Sequence, residues 1–117
     1  MPRVLILQPI HEAGVRALTD AGIDAVTAPD ASRGTLLDLI SDFDGLIVRT
    51  TSYRIDAEVM DRAPQLRVIG RHGVGVDHID IAAAAARDIV VVNAPEANSQ
   101  GVAEFTVGLM LMVTRHM

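Results

Sequence analysis

Leu66-Arg67-Val68-Ile69-Gly70-Arg71-His72-Gly73-Val74-Gly75-Val76-Asp77-His78-Ile79-Asp80 is the stretch that decides the fold. Its first part, Leu66–Gly70, is a short apolar run that reads as a buried strand. Gly73 and Gly75 make a Gly-rich turn, and Asp80 stands as the N-cap of an Ala-rich helix over Ile81–Arg87. A glycine turn between strand and helix exposes backbone N–H groups that bind anions. The stretch is therefore a candidate ligand site. It is also close to a dinucleotide fingerprint, but His78 occupies the place of the third glycine and Glu96 lies beyond Pro95 rather than at a strand end. Too few strands follow residue 75 for a full dinucleotide domain. A cradle for a small carboxylate or phosphate fits the spacing better, and glycines that only serve a tight turn remain the plainer alternative.

The same strand–helix alternation extends in both directions. Val4–Gln8, Ile23–Ala28, Gly45–Val48 and Ile89–Val92 read as the other strands, the last as a β-branched run buried on both faces. Helices are predicted from His11 to Ala21, Thr35 to Ile40, and Asp56 through Arg62, with Asp56 as a cap, and a long apolar helix from Ser99 to about Arg115. Five alternations predict parallel βαβ units in an α/β, flavodoxin-like three-layer sandwich with a five-stranded parallel sheet in the order 2-1-3-4-5. Ligands in such sheets bind beyond the carboxyl ends of the strands, which here carry Gln8-Pro9, Arg49-Thr50-Thr51, Arg71–Asp77 and Asn93–Ser99.

Composition narrows the function. The 117 residues are half apolar, with one Tyr, two Phe and no Trp, which suits a sheet covered by helices. The net charge of -5 and the lack of a basic run argue against nucleic acid. There is no Cys, so no disulfide frame or thiol nucleophile, and the expected compartment is the reducing cytoplasm. Every basic residue apart from histidine is Arg, which removes P-loop and Schiff-base lysines. Met1-Pro2-Arg3 leads straight into a strand with no signal segment, and no apolar run is long enough to span a membrane. His11, His72, His78 and His116 lack ligand spacing, so no metal site is expected.

Three motifs carry a family resemblance. Arg71-His72-Gly73-Val74-Gly75-Val76-Asp77-His78-Ile79-Asp80 resembles the R-x-G-V-G-V-D-N-I-D turn of NAD-dependent D-2-hydroxyacid dehydrogenases, a family that includes phosphoglycerate dehydrogenase. Val91-Val92-Asn93-Ala94-Pro95, with Asn98-Ser99 and Val102–Val107, resembles its V-V-N-A-P-x-x-N-[TS]-x-x-[AV]-A-E-H-T, and Asp44–Thr50 its D-[GA]-[LI]-[LI]-V-R-[ST]. His78 replaces the family's Asn, Phe105 its His and Asp88 its usual Gly.

The resemblance implies the N-terminal part of a substrate domain, residues 1–98, followed by a connector helix over 99–117 toward a cofactor domain. It implies that N–H groups around Gly73, Val74 and Gly75 hold the carboxylate of a small 2-hydroxy or 2-keto acid. Arg49 and Thr50 would line the substrate pocket, Asn98 and Ser99 would sit at the cleft, and Val74 and Thr106 would approach the nicotinamide of NAD(P). The family's nucleotide fingerprint and its catalytic Arg, Glu and His lie downstream of the connector, so no catalytic residue is assigned to this chain and it is expected neither to bind cofactor nor to act alone.

Two residues keep alternative readings. Arg49 could pair bidentately with a carboxylate or form a surface ion pair, and Asn98 could contact substrate or cap the following helix. Asp77 and Asp80 read as a turn former and a helix cap, and the methionines at 110, 112 and 117 as packing. The apolar residues Val102, Phe105, Leu109 and Met112 suggest a homodimer through the 99–115 helix. A stand-alone flavodoxin-like binding or folding module is the competing class.

Overall fold

A computed structural model describes residues 2–49, 51–72, 78–94, 103 and 106–108. Its elements are β1 (Arg3–Ile6), α1 (Glu12–Asp20), β2 (Asp24–Thr27), α2 (Arg33–Leu39), β3 (Gly45–Val48), α3 (Ala57–Asp61), β4 (Val68–His72), α4 (Ile81–Ala86) and β5 (Val90–Ala94). All pairings are parallel, and the five strands run in the order β2-β1-β3-β4-β5. The predicted architecture and strand order hold.

The sheet is built from side chains that alternate between faces. Leu5, Leu7, Leu46, Val48 and Ile69 join the core under α2, α3 and α4. Val4, Ile6, Ile47 and Val68 point the other way and pack with Leu18 of α1 and with Ala103. The central strand β3 is buried along its whole length, which is why its aliphatic run marks it so clearly.

Polar residues start each helix. Nδ1 of His11 accepts the N–H of Ala13 at 3.0 Å, and Oγ of Ser32 accepts that of Thr35 at 3.2 Å. The carboxylates of Asp56 and Asp80 accept from Val59 and Ala83 at 3.3 and 3.0 Å, as the sequence predicts for these two caps.

Three expectations change in detail. β5 is not buried on both faces: Val90 is 44% exposed and Val91 and Val92 only partly covered. Among the described residues β5 is also the last strand, with a neighbour on one side only. β4 starts later than predicted, since Leu66 belongs to a turn closed by its N–H to the carbonyl of Ala63 at 3.0 Å. And α2 ends in a single 3-10 turn over Ile40–Asp42.

Asp88 closes the α4–β5 turn at φ 57°, a left-handed conformation that an L side chain pays for and glycine does not. Asp88→Gly should therefore stabilise the fold by roughly 0.5–1 kcal/mol, and Asp88→Val should destabilise it by more. Urea midpoints of the two variants on either side of the parent value are the expected result.

Candidate functional site at the carboxyl edge of the sheet

The sheet order reverses direction between β1 and β3, and in this topology the crevice beyond that point is where ligands bind. Arg49 stands there, one residue past the end of β3, and it is exposed. Its N–H donates to Oε1 of Gln8, beyond β1, at 2.8 Å. Its carbonyl accepts from Nη1 of Arg71, on β4, at 2.8 Å. Ion pairs among the described residues involve Arg3, Arg16, Arg33 and Arg87 and not Arg49.

The segments that follow Arg49 and the Gly-rich turn are tied to each other. Ile55 and Ile79 form a parallel bridge, with Ile55 N–H to the carbonyl of His78 at 2.6 Å and Asp80 N–H to the carbonyl of Ile55 at 3.0 Å. β4 leads into the turn paired to β3 and β5, up to Arg71↔Asn93 and His72↔Ala94. The described residues on both sides of 73–77 are therefore anchored. Nδ1 of His78 is enclosed and has no hydrogen-bond partner among the described residues.

A second tie comes from α2. The hydroxyl of Tyr53 donates to the carbonyl of Ala31 at 2.7 Å, and burial raises its pKa above the usual 10.0. Arg33 contacts the carbonyl of Arg54 and the carboxylates of Asp56 and Glu58. Desolvation raises the pKa of Asp56, but the Val59 N–H and Arg33 more than offset it, leaving the carboxyl below its usual 3.8. A depressed carboxyl stabilises the fold above its unfolded pKa, and that contribution disappears as pH falls through the lower folded value. Arg33→Ala should lower the urea midpoint at pH 7, and the gap from the parent chain should shrink at pH 3. A gap that stays constant between the two pH values would show that the Arg33–Asp56 pair contributes nothing.

Of the other sequence-predicted site residues, Thr50, Gly73, Val74, Gly75, Asn98 and Ser99 lie outside the described residues, as do Asp77, Val102, Phe105, Leu109 and Met112. Thr106 is described and fully buried. Its helical turn packs inward, with Ala103 and Val107 in the cluster that holds Ile6 and Ile47. Gln8 and Arg71 are the site-edge residues that sequence reading left without a role. The signals for Arg71 were a charged residue directly after an apolar strand run and its place at the head of the Gly-rich motif.

A shallow cavity of about 260 Å³ lies on the opposite edge, lined by Asp61, Leu66, Arg67, Arg87 and neighbours. Arg87 there is engaged by Asp61 at 3.0 Å and donates to the carbonyl of Ala83 at 2.9 Å. Among the described residues no three His, Cys, Asp or Glu side chains are grouped to hold a metal, and no helix is long and apolar enough to cross a membrane.

Residues 4–115 match the model of the D-isomer specific 2-hydroxyacid dehydrogenase catalytic domain. The chain belongs to that family. It is 42% identical over 116 residues to a D-3-phosphoglycerate dehydrogenase of Methanocaldococcus jannaschii, covering 99% of this chain and 22% of the relative. It is 45% identical over 118 residues to a glyoxylate reductase of Thermofilum pendens, covering 97% of this chain and 34% of the relative. The fold is similar to that of a 3-phosphoglycerate dehydrogenase of Entamoeba histolytica solved with NAD+ bound, with a TM-score of 0.69 and 32% identity over 95% of this chain and 38% of that one. A protein of Pyrococcus horikoshii gives a TM-score of 0.75 at 33% identity, over 100% of this chain and 34% of that one. The chain thus spans between about a fifth and two fifths of the length of these relatives.

Proposed function

We propose that this chain is the substrate-side portion of an NAD(P)-dependent D-2-hydroxyacid dehydrogenase that moves hydride between C2 of a small 2-hydroxy acid and the nicotinamide. The observation that carries the reading is Arg49, an exposed residue whose backbone is held at the β1/β3 switch point within a chain matched to this family over residues 4–115. Arg49 binds the anionic end of the substrate and Thr50 lines the same pocket. The N–H groups of Gly73, Val74 and Gly75 hold a carboxylate, as glycine turns do, and Asn98 and Ser99 border the cleft. Binding and orientation are what these residues supply, since the hydride chemistry belongs to the cofactor.

The described residues fit the cofactor less well than the substrate. Val74 and Thr106 are the two carried over to it, and Thr106 has no exposed surface here, so it touches no dinucleotide while its helix stays packed. The isolated chain binds no NAD(P). The reading further places residues 1–98 as the substrate domain and 99–117 as the connector, in a cytoplasmic enzyme that dimerises through the 99–115 helix. Partners in the form of nucleic acid or membrane are not part of it.

The test compares two proteins. The full-length enzyme carrying this chain oxidises NADH or NADPH with at least one 2-keto acid, and the 117-residue chain does not. Turnover by the short chain, or an inactive full-length enzyme across a panel of 2-keto acids, would leave the stand-alone binding module as the better reading.

A further inference from the structure

The peptide groups on both sides of Arg49 are held by side chains from either side of β3, one from just beyond β1 and one from β4. Gln8 takes the N–H at 2.8 Å and Arg71 supplies the carbonyl with a donor at 2.8 Å. In a parallel ladder these groups would bond to the neighbouring backbones. The backbone ladder on the β1 side continues as far as Leu7 N–H to the carbonyl of Ile47 at 2.9 Å, and on the β4 side as far as Val48↔Arg71. Two side chains then carry the ordering one residue further, to Arg49.

This arrangement is costly for a surface carbonyl. Water satisfies a carbonyl at a solvent edge, whereas here the donor comes from Arg71, a guanidinium that is only 4% exposed. Fixing both peptide planes also fixes the Cα–Cβ direction of the residue between them. An otherwise free strand end would let a long, rotamer-rich Arg side chain sweep a wide arc, and ordering it on binding would cost entropy. We propose that Gln8 and Arg71 are positioning residues: they hold the backbone of Arg49 so that its guanidinium is aimed at the anionic group of the substrate before the substrate arrives. The inference rests on the proposed function of Arg49.

The test is a mutant cycle in the full-length enzyme, read as KM against kcat with glyoxylate and with a phosphorylated 2-keto acid. Arg71→Met is expected to raise KM about tenfold with kcat changed less than about twofold, because orientation of a binding group is lost and not the chemistry. Arg71→Lys, which keeps one donor for the Arg49 carbonyl, should recover part of the loss. In an Arg49→Met background, Arg71→Met should add less than about twofold, because it acts through the missing side chain. Gln8→Met probes the same bracket at a half-buried position and decides the cycle if Arg71→Met does not fold. A KM effect with both substrates assigns Arg49 to the carboxylate, and one confined to the phosphorylated substrate assigns it to phosphate; either supports the inference. Equal factors for Arg71→Met and Gln8→Met with and without Arg49 would overturn it. An Arg49→Met enzyme with parental KM for both substrates would instead sink the proposed function itself.

Discussion

Truncating Leu46 to alanine should cost the fold about 2–5 kcal/mol, the range for removing a fully buried leucine and leaving a cavity. Leu46 has no exposed surface and sits mid-way along β3, between β1 and β4, in the core beneath α2, α3 and α4. The surrounding residues cannot collapse into the gap, because both neighbouring strands are fixed by the ladder. Domains of this size have a total stability of about 5–15 kcal/mol, so the loss takes a large share of it. The expected reading is a fall in the urea midpoint with an unchanged slope. Leu37→Ala, at a partly covered position on α2, should cost clearly less. Equal losses at the two positions would mean that the packing assigned to β3 is wrong.

Replacing Arg49 by methionine should raise the KM of the full-length enzyme for its 2-hydroxy or 2-keto acid by roughly ten- to a hundredfold. A hydrogen bond to a charged group contributes about 1.5–3 kcal/mol, and a guanidinium can make two to one carboxylate. The group it holds does not react, so ground state and transition state should lose binding together and kcat should change little. Arg49→Lys keeps the charge and loses the planar fork, which predicts an intermediate KM. The fold should barely notice either change, because Arg49 is exposed and its contacts to Gln8 and Arg71 are made by its backbone. A large drop in thermal stability would show that Arg49 serves packing and not substrate.

Some elements are set by local chemistry and were legible from residue order alone. β3 occupies Gly45–Val48, as its unbroken aliphatic run predicts, and Asp56 and Asp80 cap the helices that follow them. The order of strands also followed, because alternating short apolar runs and helices leave few ways to build a parallel sheet. Elsewhere hydrophobicity was ambiguous. Leu66 is buried in a turn rather than in β4, and Arg71 and His72 are in the strand despite their polarity. An apolar pattern reports burial, and burial is shared by turns and strands alike. The run Ile89–Val92 reads as a strand buried on both faces by composition, yet Val90 is exposed in the last strand of the described sheet.

The candidate site divides in the same way. Its location, its family motifs and the candidacy of Arg49 came from the sequence, since the strand ends of an α/β sheet collect the polar residues that can meet a ligand. What Arg49 is bonded to did not. Gln8 lies 41 residues before it and Arg71 lies 22 after it, and no local pattern links three such positions. Sequence alone determined which elements form and on which edge the chemistry-bearing residues fall, because helix caps, glycine turns and apolar runs act over a few residues. Only the tertiary structure decided which side chains hold that edge in place, because the parallel register brings β1, β3 and β4 together there and a hydrogen bond depends on that juxtaposition.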